Sequence, residues 1–416
     1  MIYGEGRLWA PALALTGDLA GGDVLPLEGI TVVSLEQAVA APLATRHLAD
    51  LGARVVKVER PDGGDFARSY DSAVRGMASH FVWLNRSKES ITLDLKHPAG
   101  CEVLADLLAG ADVFVQNLGP GACARLGFSA ATLTARHPKL ITCDMSGYGP
   151  AGPYRDKRAY DLLVQAETAL VSLTGTPEHP AKTGIPTADI AAGMYAFSGI
   201  LAALLLRERT GRGTAVEVSM FDALAEWMGH PMYITAHTGQ APPRAGLSHP
   251  VIAPYDAYPA GDGGQVVIGI QNDREWARLA AQVLGRPDLA TDPDFATNQA
   301  RVRNRGRVDA AVAEGLAGLT RAEAIKRLED AGIATASLNT VHDLLDHPQL
   351  AERDRWREIT TPVGRLAALL PPATFAGTEP RMGPVPDLGQ HTEPILRSLG
   401  YDDQRITALR DEGVIR

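Results

Sequence analysis

The chain has 416 residues, of which 45% are hydrophobic and 21% are charged. This composition is typical of a globular protein large enough for two or three domains. The formal net charge of −9 argues against broad nucleic-acid binding, which requires a basic surface. The three cysteines have no paired or metal-binding spacing, so we expect no disulfide framework, no metal site and a cytoplasmic location.

Two segments raise the question of targeting or membrane insertion. Residues 1–28 lack the basic start and long apolar core of a secretory signal, and we interpret them as an N-terminal extension. The uncharged run 190–206 is shorter than the roughly 20 residues that a membrane span needs. It also contains Gly193 and Gly199. We therefore predict a buried helix there and no membrane association.

From residue 30 onward, apolar strand-like runs alternate with helical patterns. Strands are predicted at 30–36, 54–59, 90–96, 112–118 and 139–147, and helices at 42–53, 98–109 and 129–137. Alternation of this kind predicts a Rossmann-like parallel α/β sheet with helices on both faces. Ligands of such sheets bind at the loops that follow the carboxyl ends of the strands.

Two of these loops combine glycines with a cation. Arg60 begins the run RPDGGD, and Arg125 follows the run NLGPG at 117–121. Backbone amides next to a guanidinium can hold a phosphate, although glycines also serve simply to make tight turns. The run GYGPAG at 147–152 matches a dinucleotide motif by letter only, because Pro150 lies within it and no helix follows directly.

The second half of the chain suggests a smaller domain. A helix is predicted to begin near Asp161, which we interpret as its cap, and a proline- and glycine-rich loop at 239–248 precedes a hairpin and further helices. We predict the following division: a 1–28 extension, a 29–207 large Rossmann-like domain, a 208–248 linker, a 249–330 small α+β domain and a 331–416 segment that returns to the large domain.

Asp189 is the most informative single residue, because it lies directly before the apolar run 190–206. Aspartate is a preferred helix cap, and the helix dipole would stabilise its charge there. An ionised carboxylate beside an apolar wall could instead act as a nucleophile. The residues of this segment alone leave both interpretations open.

Six motifs in fixed order resemble the class III CoA-transferases. This is the CaiB/BaiF family, which includes formyl-CoA transferase and α-methylacyl-CoA racemase. The motifs are APLATRHLADLGARVVKVERPDGGD, LNRSKESITLDLKHPAG, DVFVQNLGPGACARLGF, RAYDLLVQA, PTADIAAGMYAFSGILAALLLRERTGRG and LGQHTEPILRSLGY. The resemblance covers nearly the whole chain.

The resemblance implies transfer of CoA from an acyl-CoA donor to a free carboxylic acid. Asp189 would be the nucleophile, with an aspartyl-CoA thioester as intermediate, and Asp161 and Tyr160 would shape the site. The family uses CoA and acyl-CoA as substrates without a prosthetic group, and it forms interlocked homodimers. The implied CoA contacts are Val39, Ala40, Arg60, Asn85, Lys88, Asn117, Leu118, Gly119, Arg125, Arg158 and Met220.

The chain departs from the family pattern at several positions. Val39 replaces a glutamine of formyl-CoA transferase, and a glycine run is reduced to Gly246, which argues against formyl or oxalyl specificity. Tyr160 replaces the histidine of the racemase branch, and Asn272 replaces its glutamate, which leaves no pair of opposed acid and base groups. An acyl-CoA racemase acting by α-proton transfer and a non-catalytic CoA-binding paralogue are the alternatives.

Overall fold

The computed structural model describes residues 24–416, so most of the predicted N-terminal extension lies outside the described residues. Its centre is a six-stranded sheet in which every neighbouring pair is parallel, with strand order β3-β2-β1-β4-β5-β6. This confirms the predicted α/β class. The strands are β1 (Thr31–Leu35), β2 (Arg54–Glu59), β3 (Lys88–Thr92), β4 (Val113–Gln116), β5 (Ile141–Ser146) and β6 (Ala215–Ser219).

The third strand begins earlier than its hydrophobic pattern predicts. The apolar letters favour 90–96, whereas β3 starts at Lys88, which is in register with Val55 of β2. Lys88 and Glu89 are poor strand candidates by hydropathy alone. The buried position of Lys88 in the sheet is therefore a tertiary effect that the pattern does not reveal.

Helices cover both faces of this sheet. One face carries α1 and α8, and the other carries α3, α5 and the C-terminal helices. The helices of this region are α1 (Ala40–Asp50), α2 (Ser79–Leu84), α3 (Pro98–Ala109), α4 (Ala122–Arg125), α5 (Ala130–Arg136), α6 (Asp161–Glu167), α7 (Leu170–Leu173), α8 (Thr187–Thr210), α9 (Met220–Trp227) and α10 (Gly229–Thr238). A single 3-10 turn, Phe66–Ser69, follows β2.

The long helix α8 is 24 residues long and ends at Gly211, whose φ of 69° is the left-handed conformation that glycine favours at a helix end. The helix extends beyond the uncharged run 190–206 at both ends, and by length and composition alone its 24 residues could cross a membrane. One side of α8 packs on α1, β6 and α9. Its other side exposes large apolar side chains, namely those of Met194, Tyr195, Leu205 and Leu206.

A second, smaller region has its own core around the fully buried Trp276. Its antiparallel sheet contains β7 (Tyr255–Pro259), β8 (Gln265–Gly269) and β9 (Ala334–Ser337). Its helices are α11 (Asp273–Arg278), a π-helix at Leu279–Val283, a 3-10 turn at Pro287–Ala290, α12 (Asn298–Arg303), α13 (Arg305–Leu316) and α14 (Arg321–Asp330).

The structure differs from the predicted domain limits in two places. Because β6 pairs with β5, residues 208–248 contain a strand of the large sheet and the helices α9 and α10, not only a linker. Because β9 pairs with β8, the small sheet continues past residue 330. Both differences arise from strand partners that are distant in sequence.

The remaining C-terminal elements are α15 (Val341–Leu345), α16 (Pro348–Glu352), the hairpin β10 (Trp356–Thr361) and β11 (Gly364–Leu369), α17 (Thr392–Ser398) and α18 (Asp403–Asp411). Of these, α17 and α18 pack on the large sheet. Ile359 of the hairpin packs against Phe81 of α2. Leu396 and Leu409 of the last two helices complete the core over α3.

Candidate active site

The amino end of α8 is held by a carboxylate from another helix. The cap position of α8 is Pro186, and Asp189 lies inside the first turn. Asp161, the first residue of α6, accepts hydrogen bonds from the backbone N–H groups of Ala188 at 2.8 Å and Asp189 at 3.4 Å. The prediction that Asp161 caps its own helix is therefore wrong, as is the interpretation of Asp189 as the cap. Asp161 performs that role for α8, and the Asp189 carboxylate remains available for chemistry.

The carboxylate of Asp189 is partly buried, and none of the ion pairs among residues 24–416 includes it. Burial raises its pKa from 3.8 to about 7, and the nearby negative charge of Asp161 acts in the same direction. The nearby backbone N–H of Ala40 opposes this rise in the pKa. Near neutral pH the group therefore exists in both protonation states.

Close packing of α8 on the start of α1 brings Asp189 to Ala40. A Cβ atom added at Gly193 would lie 2.7 Å from the carbonyl oxygen of Ala40, so only glycine allows the two helices to approach so closely. One turn earlier, Ile190 packs against Val39 and Leu43. Val39 and Ala40, two of the implied CoA contacts, are thus the buried wall that faces the first turns of α8.

The loop between β1 and α1 is fixed by side chains from two other loops. Asn117 accepts from the Gln37 N–H at 2.8 Å and donates to the Gln37 carbonyl at 2.9 Å. Asp65 accepts from the N–H of Ala38 at 3.1 Å. Ala38 has a φ of 64°, a left-handed conformation that is strained for alanine. The implied CoA residue Asn117 therefore shapes the loop that carries Ala40.

A buried network of charges lies beneath this loop. The Lys57 ammonium donates to Asp65 at 2.7 Å and to Glu36 at 3.3 Å, and the Lys88 ammonium donates to Glu36 at 2.7 Å. Burial would raise the pKa of Glu36, but the two ammonium groups outweigh it and lower that pKa. At the edge of the network, hydrogen bonds and charge from Arg68 and Lys57 outweigh burial and lower the pKa of Glu59 to about 2. Glu36 and Glu59 therefore remain ionised.

Lys88 and Asn85, two further implied CoA contacts, lie inside this network. Besides Glu36, the Lys88 ammonium donates to the carbonyl of Pro42 at 3.0 Å and to the side-chain oxygen of Asn85 at 3.1 Å. Both residues are buried. In this conformation no phosphate can reach the Lys88 ammonium, so a structural role explains both side chains.

Sequence reasoning missed Glu36, Lys57, Asp65 and Glu59, which are all buried in the network. A signal for them existed, because Lys57 interrupts the apolar run RVVKVE and Glu36 ends the run ITVVSLE. Charged residues are almost never fully buried unless they are paired. A charge inside a strand of a parallel sheet, whose two faces are covered, therefore indicates a buried partner.

A cleft of about 500 Å³ opens at the carboxyl ends of β1 and β2. Arg60 and Leu118, both implied CoA contacts, line it together with Gln37 and Lys96. The exposed Arg60 guanidinium donates to the carbonyl of Gly64 at 3.1 Å, which holds it at the rim. Sequence reasoning missed Lys96, whose exposed ammonium adds a second cation to the cleft.

The remaining implied contacts lie at the surface around these two features. Gly119 and Arg125 are exposed in the loop after β4, and the Arg125 guanidinium donates to Pro120 at 3.2 Å. Arg158 and Tyr160 are exposed ahead of α6. Met220 is partly buried at the first position of α9.

Tyr70 is a further residue near Asp189 that the sequence did not suggest. Burial and the negative charges of Asp65 and Asp189 raise its pKa to about 12. Its ring meets that of His80 edge to face, with centroids 5.6 Å apart. The site thus combines carboxylates with an aromatic rim, and within residues 24–416 no cluster of histidine, cysteine and acidic residues is arranged to hold a metal ion.

Comparison with known proteins identifies the family of this arrangement. The family model for CoA-transferase family III matches residues 27–392. Succinyl-CoA:glutarate CoA-transferase of Homo sapiens is 31% identical over 401 residues, which cover 94% of this chain and 90% of that protein. Acetyl-CoA:oxalate CoA-transferase of Acetobacter aceti is 37% identical over 331 residues, covering 79% and 85%.

A solved structure gives the same result for the fold. The crystal structure of a CaiB/BaiF family protein from Brucella suis has a TM-score of 0.81 and 34% identity, and the match covers 91% of this chain and 100% of that one. The agreement extends over both the parallel sheet and the smaller region. The chain therefore belongs to CoA-transferase family III, the CaiB/BaiF family.

Proposed function

We propose that the enzyme transfers CoA from an acyl-CoA donor to a free carboxylic acid through covalent intermediates on Asp189. The observation that carries this proposal is the environment of Asp189. Its carboxylate is partly buried and has no cation partner among the described residues. A carboxylate that is poorly solvated and not neutralised by an ion pair retains its nucleophilicity.

The first half of the reaction loads CoA onto the enzyme. An Asp189 oxygen attacks the thioester carbonyl, the carbon–sulfur bond breaks, and CoA leaves as the thiolate. The product on the enzyme is a mixed anhydride between Asp189 and the acyl group. The thiolate then attacks the Asp189 carbonyl carbon, which releases the donor acid as a carboxylate and leaves an aspartyl-CoA thioester.

The second half repeats these steps in the opposite direction. The acceptor carboxylate attacks the aspartyl thioester and expels CoA thiolate, which forms an anhydride with the acceptor. The thiolate attacks the acceptor carbonyl, and Asp189 leaves as the carboxylate. No proton is gained or lost overall, so the site needs no general acid, and the main requirement is that water stays away from the anhydride.

The cleft beside β1 and β2 suits the nucleotide part of CoA. Its lining combines the apolar side chains of Leu118 and Leu126 with the cations of Arg60 and Lys96. Cations at the rim would neutralise the phosphates of CoA, and the apolar wall would accept the adenine ring. The loop at 37–40 connects this cleft to Asp189, so the pantetheine arm would follow it.

Trapping of the intermediate tests the proposal. The enzyme is incubated with an acyl-CoA, hydroxylamine is added, and the peptide that contains Asp189 is examined by mass spectrometry for a hydroxamate. We expect the modification in the wild type and none in Asp189→Ala. An unmodified peptide together with full activity of Asp189→Ala would exclude the mechanism. Exchange of an α-proton for deuterium without an acceptor acid would indicate the racemase alternative instead.

For the acceptor we propose a small dicarboxylic acid. Relatives of this chain are named for glutarate and oxalate as acceptors, and another, from Chloroflexus aurantiacus, is named succinyl-CoA:D-citramalate CoA-transferase. A panel of mono- and dicarboxylic acids, each offered with succinyl-CoA, tests the idea by chromatography of the CoA esters formed. Preference for a monocarboxylic acid would contradict it.

We further propose that the functional unit is an interlocked homodimer. Large apolar side chains are exposed on α6, on the outer side of α8 and on α10, including Leu162, Leu206 and Met232. Large apolar side chains exposed in this number are typical of an interaction surface. A second copy would also cover the exposed side of the Asp189 site. Light scattering during gel filtration should give twice the chain mass at micromolar concentration, and a monomer would contradict the proposal.

A further inference from the structure

A fully buried amide supports the carboxylate that caps α8. Gln165 lies one turn after Asp161 on α6 and is shielded from solvent. Its side-chain nitrogen donates to one oxygen of Asp161 at 2.6 Å. The other Asp161 oxygen accepts from the backbone N–H groups of Ala188 at 2.8 Å and Asp189 at 3.4 Å. The two Asp161 oxygens thus have separate partners, and Gln165 holds the carboxylate with the second oxygen toward α8.

The oxygen of the same amide holds the chain that leads into α8. It accepts from the backbone N–H of Thr183 at 3.1 Å. Its partners fix the orientation of the amide, because the NH₂ group meets a carboxylate and the oxygen meets an N–H group. The reversed orientation would place oxygen against oxygen and donor against donor. Gln165 therefore joins Asp161 and Thr183 in one arrangement around the first turn of α8.

The surroundings of Gln165 make it the side chain that orients Asp161. Among residues 24–416, no lysine or arginine pairs with Asp161, and its hydrogen-bond donors are Gln165 and the two N–H groups of α8. Val164 packs with Ala188 in one buried apolar cluster, which keeps α6 against α8. Because the amide is enclosed, its loss leaves polar partners unsatisfied, and such a loss is more damaging than that of an exposed hydrogen bond.

We propose that Gln165 is a positioning residue that fixes Asp161 and the chain at Thr183, and thereby holds the first turn of α8 and Asp189 in the geometry that attacks the thioester. This inference rests on the proposed role of Asp189 as nucleophile. Gln165 does not touch the reacting atoms. It acts through Asp161, whose hydrogen bonds reach the backbone of Asp189 itself.

The first experiment removes the amide. Gln165→Leu can neither donate to Asp161 nor accept from Thr183. We expect kcat to fall by about ten- to a hundredfold, because a small misplacement of a reacting group has effects of this size, while KM for the acyl-CoA stays within about twofold. Hydroxylamine trapping at Asp189 counts the competent active sites, so that kcat refers to folded enzyme. A role in folding alone would lower that count and leave kcat per site unchanged.

The second experiment exchanges the donor and the acceptor. In Gln165→Glu two carboxylates face each other, and we expect at least the same loss of kcat. In the double variant Asp161→Asn/Gln165→Glu, the new amide donates to the new carboxylate, which still accepts from Thr183. The oxygen of the new amide still accepts from Ala188. This variant should therefore recover most of the kcat that Gln165→Glu loses.

Asn298→Leu is the matched control. The Asn298 amide also holds two groups, since it donates to the carbonyl of Val251 at 3.0 Å and accepts from the N–H of Ala253 at 3.2 Å, but it lies on α12 of the smaller region. Its kcat per trapped site should match that of the wild type.

Three results would overturn the inference: a wild-type kcat per trapped site in Gln165→Leu, an equal loss in Asn298→Leu, or a folded double variant no faster than Gln165→Glu. Should Gln165→Leu fail to fold, the two glutamate variants decide alone. Trapping on the wild type separates the two claims. A trapped Asp189 with an unaffected Gln165→Leu sinks only the role of Gln165, whereas an untrapped wild-type Asp189 sinks the proposed function as well.

Discussion

Two clusters of acidic groups lie on either side of the loop at 37–40, and they differ in one respect. In the buried network, Glu36, Asp65 and Glu59 each accept hydrogen bonds from a lysine or an arginine. At the amino end of α8, Asp189 and Asp161 lie together without such a cation. The pKa of Glu59 is lowered to about 2, whereas that of Asp189 is raised to about 7. Pairing with a cation lowers the pKa of a buried acid, whereas burial without such a partner raises it.

The largest effect is expected from removal of the unpaired carboxylate. Asp189→Asn preserves the shape of the side chain but cannot form the anhydride. We expect CoA transfer to fall by at least about a thousandfold, because a covalent nucleophile has no substitute in the site. The assay is acyl-CoA exchange under initial-rate conditions. A decrease in the transfer rate of less than tenfold would mean that Asp189 only orients the substrate or supplies a negative charge.

Removal of a paired charge should instead affect stability. Lys88→Met leaves Glu36 with Lys57, at 3.3 Å, as its remaining cation partner beside the Thr45 hydroxyl, and we expect the free energy of unfolding to fall by about 3–5 kcal/mol. The control is Lys326→Met, which breaks an exposed pair with Asp330 and should cost less than about 1 kcal/mol. Denaturant unfolding measures both. A stable Lys88→Met enzyme with weakened CoA binding would favour the direct contact that the family resemblance implies.

The pH profile tests the difference between the two clusters directly. In the proposed mechanism only the ionised form of Asp189 attacks the thioester, so kcat/KM should fall about tenfold per pH unit as the pH drops below about 7. Asp161→Asn removes the charge that raises the Asp189 pKa but keeps an oxygen to accept from Ala188. Its profile should therefore shift to lower pH. A shift to higher pH would show that Asp161 stabilises the ionised form.

A substitution at the contact between α8 and α1 should have a smaller effect on stability and activity. Gly193→Ala introduces a Cβ 2.7 Å from the Ala40 carbonyl and should destabilise the protein by about 1–3 kcal/mol while lowering activity. Gly199→Ala lies on the same helix, but its Cβ meets only a side-chain methyl of Val216 at 3.0 Å. Thermal unfolding and initial rates should show a milder effect there. If the two variants lost stability and activity to the same extent, the close approach of α8 to the Ala40 carbonyl would not explain the loss.

The smallest expected effect is a gain in stability. The pKa of Asp189 is higher in the folded protein than in the unfolded chain, so the folded state binds the proton more tightly. Wild-type stability is therefore lost as the pH rises from about 4 to about 7. The amide of Asp189→Asn does not ionise, so this variant does not lose stability as the pH rises. Its Tm should exceed that of the wild type by a few degrees at pH 8. The difference should shrink as the pH is lowered.

The framework of the fold follows from local sequence patterns. The alternation of apolar runs and helical segments predicts the limits of β2 and α3 to the residue, and it places β1, β4 and β5 inside their predicted ranges. It fails at β3 and β9, where a buried lysine and a short run of small residues carry no hydrophobic signal. Strand pairing, and not local preference, defines these two elements.

The sequence predicts where the site lies better than it predicts the protonation states of the site residues. Asp189 can be found because an apolar helix follows it, but the group that caps this helix, Asp161, is a long-range partner. The cations that neutralise Glu36 come from two other strands. A protonation state depends on such neighbours, and a linear pattern does not contain them.

The buried network of ion pairs beneath the loop at 37–40 also limits which amino-acid substitutions the enzyme can accept. Replacement of any one member leaves an uncompensated charge in a dry interior, so these positions can be altered only in matched sets. Substitutions intended to change the acceptor acid should therefore avoid the residues of this buried network. Tyr160 is exposed beside the Asp189 site and belongs to no buried ion pair, so substitutions aimed at acid specificity are better begun there.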